Sequence, residues 1–228
     1  MLVAELPGPA FYALRPGGWR DYVTLLHPPY TLWHLSYVAV GAALAPRLHV
    51  DRLCWALAAF FLALGIAAHA LDELNGRPLR TRIPKRALAA LAAMSLAGAL
   101  AIGAGAAVAW GFGLLAFVAV GAVLVPAYNL EWFGGRLHTD LGFALAWGAF
   151  PALTGYFVET QTIRVEAVLV AAYATALSLV QRALSTPVRE ARRERQTTEG
   201  AEPLERALRL LTVAAVAVAV AAVTARLT

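Results

Sequence analysis

Charge is scarce in this chain. Only 14% of its 228 residues are Asp, Glu, Lys or Arg, against roughly 25% in a soluble domain. Cysteine is almost missing as well. Cys54 stands alone, which excludes an intramolecular disulfide and any Cys-rich metal site. No P-loop, GxSxG, HExxH or CxxCH occurs anywhere in the chain, so the signatures of phosphate-loop enzymes, serine hydrolases, zincins and attached haem are all lacking. Residues 1–29 carry Arg15, Arg20, Asp21 and several Pro and Gly, with no continuous apolar core. No secretory signal is expected there.

Apolar residues fill the space that charge leaves. They make up 60% of the chain, a composition that points to an all-α, polytopic transmembrane bundle. The net charge of +5 then reads as membrane topology and contact with anionic phospholipid, not as a nucleic-acid surface. Ala87–Leu130 runs for 44 residues without Asp, Glu, Lys, Arg or His. That is long enough for two spans of about 20 residues joined by a tight turn, expected in the Gly-rich part between Gly103 and Gly113. About seven helices follow from the apolar runs, at 30–46, 53–71, 87–105, 110–129, 141–158, 165–184 and 207–225. Residues 1–29 form an amino-terminal segment, and 30–228 a single transmembrane domain with a basic loop at 185–206. With the amino terminus and the loops after helices 2, 4 and 6 on one side, that side holds 15 of the 19 basic residues. Basic residues gather on the cytoplasmic side. The expectation is a multi-pass protein of the cytoplasmic membrane with its amino terminus inside.

Polar groups cluster on that same side. In the first cluster, His69 to Pro78, a regular helix puts His69, Asp72, Glu73 and Gly76 on one face. Asp72 and Glu73 are candidate ligands for Mg²⁺, which could in turn hold a phosphate. Asn75, Arg77 and Arg80 lie beside them. The plainer reading is a helix end whose acids pair with Arg77, Arg80 or Arg82. In the second cluster, Tyr128 to Asp140, Glu131, His138 and Asp140 could complete a metal site, or line a polar cavity together with Tyr128 and Asn129. The plainer reading there is a Gly-Gly loop with aromatic anchors and an Asp N-cap. In the third cluster, Thr186-Pro187 reads as a helix start. It opens a short charged helix that puts Arg189 and Arg193 on one face, suited to phosphate or to lipid head groups. His34, inside the first span, is a fourth candidate, and alone it reads as a hydrogen-bonded bundle residue.

Three clusters after helices 2, 4 and 6 resemble the arrangement in the UbiA superfamily of intramembrane prenyltransferases, nearest to the branch that prenylates dihydroxynaphthoate. The stretch Asp140–Thr160, DLGFALAWGAFPALTGYFVET, carries the resemblance most specifically. Tyr128, the Gly134-Gly135 loop and the helix start His27-Pro28-Pro29-Tyr30-Thr31 are similar to the family's segments too. The departures are substantial. Where the family's first motif reads NDxxDxxxGxD, only Asp72 and Gly76 remain, with His69 and Pro78 at aspartate positions. In the second motif Ser185 and Arg189 replace both aspartates. The family's usual nine helices are here about seven. The resemblance implies a UbiA-like arrangement of helices and transfer of a prenyl group from an isoprenoid diphosphate to a lipid or aromatic acceptor. Asp72, Glu73, Asp140 and Glu131 would be the catalytic residues, Asp72 and Glu73 would hold Mg²⁺, and Arg77, Arg80, Arg189 and Arg193 would hold the diphosphate. Two alternatives stand beside it: a non-catalytic quinone- or isoprenoid-binding protein or membrane-complex subunit, and a transition-metal site using His69 and His138.

Overall fold

A computed structural model describes residues 8–193 and 201–228 of the chain. All regular structure among them is helical. The elements are α1 (Trp19–Leu25), α2 (Pro28–Ala43), α3 (Val50–Leu74), α4 (Lys85–Trp110), α5 (Leu114–Asn129), α6 (Asp140–Thr160), α7 (Val165–Arg193) and α8 (Glu202–Leu227). Five of these, α3, α4, α6, α7 and α8, are long and apolar enough to cross a membrane. α2 and α5 have 16 residues each, fewer than the roughly 20 of a typical span.

Each apolar run expected to be helical is helical, and the ends differ for local reasons. The α4–α5 turn falls at Gly111–Gly113, where Gly111 adopts φ 148°. That backbone conformation favours glycine, and a Cβ there would displace the end of the Gln161 side chain, whose oxygen would lie 2.5 Å away. The expected break at Pro187 does not occur. α7 runs unbroken through Pro187 to Arg193, so much of the segment expected as a basic loop at 185–206 is helix. A proline inside a helix removes one backbone bond; a helix tolerates this where neighbouring groups re-satisfy the freed carbonyl. The cap of α6 is Thr139, not Asp140: its hydroxyl accepts from Gly142 N at 2.9 Å.

α2 sits at the centre and packs against both α6 and α8. Trp33 and Tyr37 on it are almost fully buried. Trp33 Nε1 donates to the Tyr37 hydroxyl at 2.6 Å, and Ser178 Oγ on α7 donates to the same oxygen at 3.1 Å. Close approach of α2 and α6 depends on missing side chains. A Cβ on Gly41 would lie 2.1 Å from Ala152 O, and one on Gly155 2.1 Å from Val38 O. Small residues at such crossings let backbones meet, which is how helices associate where lipid removes the hydrophobic drive.

The two ends of the bundle differ. At one end Arg52 donates to the Val158 and Glu159 carbonyls, Arg226 to those of Ala45 and Pro46, and Glu159 accepts from His49 N and pairs with its ring at 2.9 Å. Free carbonyls of helix ends are thus capped by arginine. At the other end lies the long α3–α4 connection, folded back over the helices by two buried carboxylates. Glu73 accepts from Leu79 N, Thr81 N and the Thr81 hydroxyl at 2.8–3.0 Å. Asp21 accepts from Gly17 N and Arg82 N, both at 2.9 Å.

Candidate functional site: an arginine-rich cavity joined to an apolar groove

A cavity of about 640 Å³ opens at the end where the α3–α4 connection lies. α3 contributes His69 and Asp72, α7 contributes Arg182, Ser185 and Arg189, and the connection contributes Arg77 and Arg80. A smaller recess of about 100 Å³ continues from it, sharing His34, His69, Asp72, Arg182 and Arg189 and adding Tyr128, Asn129 and His138. All three sequence clusters therefore meet at one place.

Local backbone geometry aims the α3 residues. Phe61–Ala68 is a π-helical stretch immediately before His69. Such wide turns re-phase a helix and recur at functional sites. His69 Nδ1 lies 3.0 Å from the Gly65 carbonyl. A carbonyl only accepts, so Nδ1 carries the proton and Nε2 keeps a lone pair. Asp72 faces the cavity and makes no hydrogen bond or ion pair with any described residue. Glu73, expected beside it, points elsewhere into the connection. Consecutive helical residues diverge by about 100°, and the connection captures the second of the two.

Charge in the cavity is lopsided. Five arginines line it, Arg77, Arg80, Arg182, Arg189 and Arg192, against one carboxylate, Asp72. Arg77 is spent on the connection, donating to Thr81 O and Ile83 O. Arg182 pairs with Asp140 at 2.7 Å, and Arg192 with Glu205. Arg189 donates only to the Thr186 hydroxyl, at 3.3 Å, and like Arg80 has no carboxylate partner among the described residues. Several polar atoms around the cavity and recess are buried and unpaired: His27 Nε2, His34 Nδ1, the Tyr128 hydroxyl and Gln181 Oε1. Buried polar atoms normally find a partner, so these mark where a ligand or water would bond.

Beyond the recess lies an apolar groove lined by α3, α4, α5 and α6. Leu64 and Trp147 belong to both recess and groove. Phe60, Phe117 and Phe150 give it an aromatic wall, with the Phe150 ring 5.9 Å from Phe60 and 6.0 Å from Phe117.

Not every expected site residue arrives. His69, Asp72, Asn75, Arg77, Arg80, Tyr128, Asn129, His138 and Arg189 line the cavity or recess. His138 stacks on Tyr128 with ring centroids 4.7 Å apart. Asn75 and Asn129 mainly tie α3 to α5, through Asn75 Nδ2 to Asn129 O at 3.2 Å. Asp140 stands one step back, fixing Arg182. Glu131 is exposed in a left-handed turn and lines neither space. Arg193 ends α7, and its side chain lies outside the described residues. The Asp72–Glu73 pair expected to hold Mg²⁺ does not converge, and among the described residues no three His, Cys, Asp or Glu side chains form a metal-binding group. The two carboxylates thus face different surroundings, Asp72 the cavity and Glu73 the α3–α4 connection.

Sequence reasoning missed the amino-terminal contribution. Tyr12 and His27 line the cavity, joined by a 2.7 Å hydrogen bond between the Tyr12 hydroxyl and His27 Nδ1. Burial, with His69 and Arg189 nearby, pushes the His27 ring well below its usual range, and burial, then the neighbouring Tyr30, raises the Tyr12 phenol well above its own. Both are neutral. Arg182 and Arg192 were legible: Gln181, Arg182, Ser185, Val188, Arg189 and Arg192 recur every three or four residues, which is one helical stripe. Reading a helix start at Pro187 broke that stripe in two. Comparison with family models, curated proteins and solved structures finds no match.

Proposed function

We propose that the protein binds an isoprenoid diphosphate at this site, as a divergent UbiA-like membrane protein. The carrying observation is the continuity of an arginine-rich cavity with an apolar groove through the shared walls Leu64 and Trp147. An amphiphile with a multiply charged anionic head and a hydrocarbon tail matches both halves. Arg189 and Arg80, without carboxylate partners, take the phosphate oxygens, since guanidinium forms paired bonds to phosphate. The tail lies along the aromatic wall of the groove. In this reading the seven apolar helices cross the cytoplasmic membrane with the amino terminus inside, following the 15-to-4 division of basic residues.

Transfer of the prenyl group to a lipid or aromatic acceptor is the second reading. The His69 Nε2 lone pair and the unpaired Asp72 carboxylate favour it, because both could accept a proton beside the arginines. Arginine stabilises the charge that develops on a departing diphosphate.

The test is ligand stabilisation of the full chain in nanodiscs. Geranylgeranyl diphosphate should raise the melting temperature more than inorganic pyrophosphate or geranylgeraniol does alone. Equal stabilisation by the uncharged alcohol would sink the reading.

A further inference from the structure

The amino-terminal segment Gly8–Ala13 runs along one wall of the cavity. Four consecutive residues of it, Pro9 to Tyr12, line that cavity. It has no helical or strand ladder to hold it. Its backbone is tied by a turn bond from Ala13 N to Ala10 O at 3.1 Å and by Arg192 Nη1 donating to Gly8 O at 2.8 Å. The rest of its hold is side-chain contact. Phe11 packs edge-on to Tyr30 and lies beneath Arg209, whose guanidinium carbon is 4.8 Å from the ring centre. Tyr12 reaches in to bond His27.

From this geometry we infer that Gly8–Ala13 is a strap that an anionic ligand head displaces. This rests on the diphosphate reading above and adds regulation of the same site. The coupling runs through Arg192. Its guanidinium is divided between Glu205 on α8 and the strap carbonyl of Gly8. A phosphate oxygen is a stronger partner for arginine than a neutral carbonyl. A diphosphate held by Arg189, one helical turn away on the same stripe of α7, competes with Gly8 for Arg192. Losing that bond releases the strap backbone from α7 and leaves the segment on its aromatic contacts and the Tyr12–His27 hydrogen bond. By reciprocity, whatever loosens the strap must strengthen diphosphate binding by the same factor.

The experiment uses full-length protein in nanodiscs and two reporters. The first is the Phe11→Ala/Tyr12→Phe double variant, titrated with inorganic pyrophosphate by calorimetry; it should bind about tenfold more tightly than the parent. The second is an Ala13→Cys reporter in a Cys54→Ala background, which leaves the strap contacts intact and should react with a water-soluble maleimide several-fold faster at saturating pyrophosphate. Geranylgeranyl diphosphate run in parallel should accelerate labelling too; acceleration by the tailed probe where pyrophosphate itself does not bind supports the strap and assigns the opening ligand to the membrane. Saturable pyrophosphate binding with unchanged labelling and unchanged affinity in the double variant overturns the strap and leaves the diphosphate reading standing. Absence of binding by either probe to any of these chains overturns both.

Discussion

His27 and His69 stack face to face, ring centroids 4.0 Å apart and planes 13° from parallel. One ring precedes α2 and the other lies near the end of α3, so the stack joins the amino-terminal segment to the bundle. Tyr12 on the strap, Tyr30 and His34 on α2, Asp72 on α3 and Arg189 on α7 are other charged or titratable groups around His27. The phenol proton of Tyr12 has no other acceptor, so it is donated to His27 Nδ1, leaving Nε2 with the hydrogen and no partner. The stack is therefore built from uncharged rings in a cavity dominated by arginine.

A stability change with pH follows. The folded-state pKa of His27 lies well below 6.5, so the unfolded chain binds the proton more readily. His27 contributes stability fully above about pH 6.5, and that contribution is lost as pH falls below it. Melting curves in nanodiscs should move down between neutral pH and about pH 5. His27→Gln should flatten that decline. A decline equally steep in the variant would assign the effect to other groups.

Glu73 is expected to matter for folding and not for ligand binding. Its carboxylate is buried and receives three hydrogen bonds from the α3–α4 connection. Glu73→Ala strands the Leu79 and Thr81 amides, at about 1–3 kcal/mol for each buried donor left unpaired. The melting temperature should drop by several degrees. Glu73→Gln keeps one acceptor and should lose less. Pyrophosphate affinity of the folded fraction should stay within about twofold; a loss as large as that of an arginine variant would return Glu73 to the site.

The helices were legible in the sequence because long runs free of charge mark helices long and apolar enough to cross a membrane, and Ala87–Leu130 is such a run without interruption. The meeting of His69, Tyr128, Asp140 and Arg189 at one end was legible from topology, since loops on one side of a bundle share a surface. Tertiary choices were not legible. Asp72 and Glu73 are chemically alike, and only the fold of the connection decides which one faces the cavity. Pro187 carries a helix-start signal that the continuity of α7 overrides. Tyr12 and His27 lie in a stretch with no periodicity, so their place in the cavity wall depends on contacts with distant elements, His69 on α3 for His27 and Arg192 and Arg209 for the segment that carries Tyr12.

Crossing of α2 and α6 should tolerate no added methyl. A Cβ at Gly41 would lie 2.1 Å from the Ala152 carbonyl oxygen, and that obstacle is backbone. Gly41→Ala forces the helices apart, at about 1–3 kcal/mol or more for such overpacking. Gly105, where an added Cβ would meet nothing within 4 Å, is the control. Gly105→Ala should be neutral or stabilising, since alanine favours a helix over glycine by roughly 1 kcal/mol. Equal melting temperatures for the two variants would show that this crossing is looser than its geometry.

Ligand binding should depend on Arg189 and survive chelation. Arg189 lines both the cavity and the recess, and its one side-chain bond is to a neutral hydroxyl. Its guanidinium is therefore available to a ligand in a way that Arg182, held by Asp140, is not. Hydrogen bonds to a charged partner are worth about 1.5–3 kcal/mol each. Arg189→Ala should weaken geranylgeranyl diphosphate binding by about tenfold to a hundredfold, with lysine recovering only part because it offers a point charge instead of a fork. Asp72 brings a lone carboxylate to the same space, so an anionic head meets repulsion there unless a cation intervenes. Asp72→Asn should tighten binding in the presence of a chelator. If chelation abolishes binding to the parent, and Asp72→Asn does the same with Mg²⁺ present, then Asp72 holds a metal and the arginine account of this cavity is wrong.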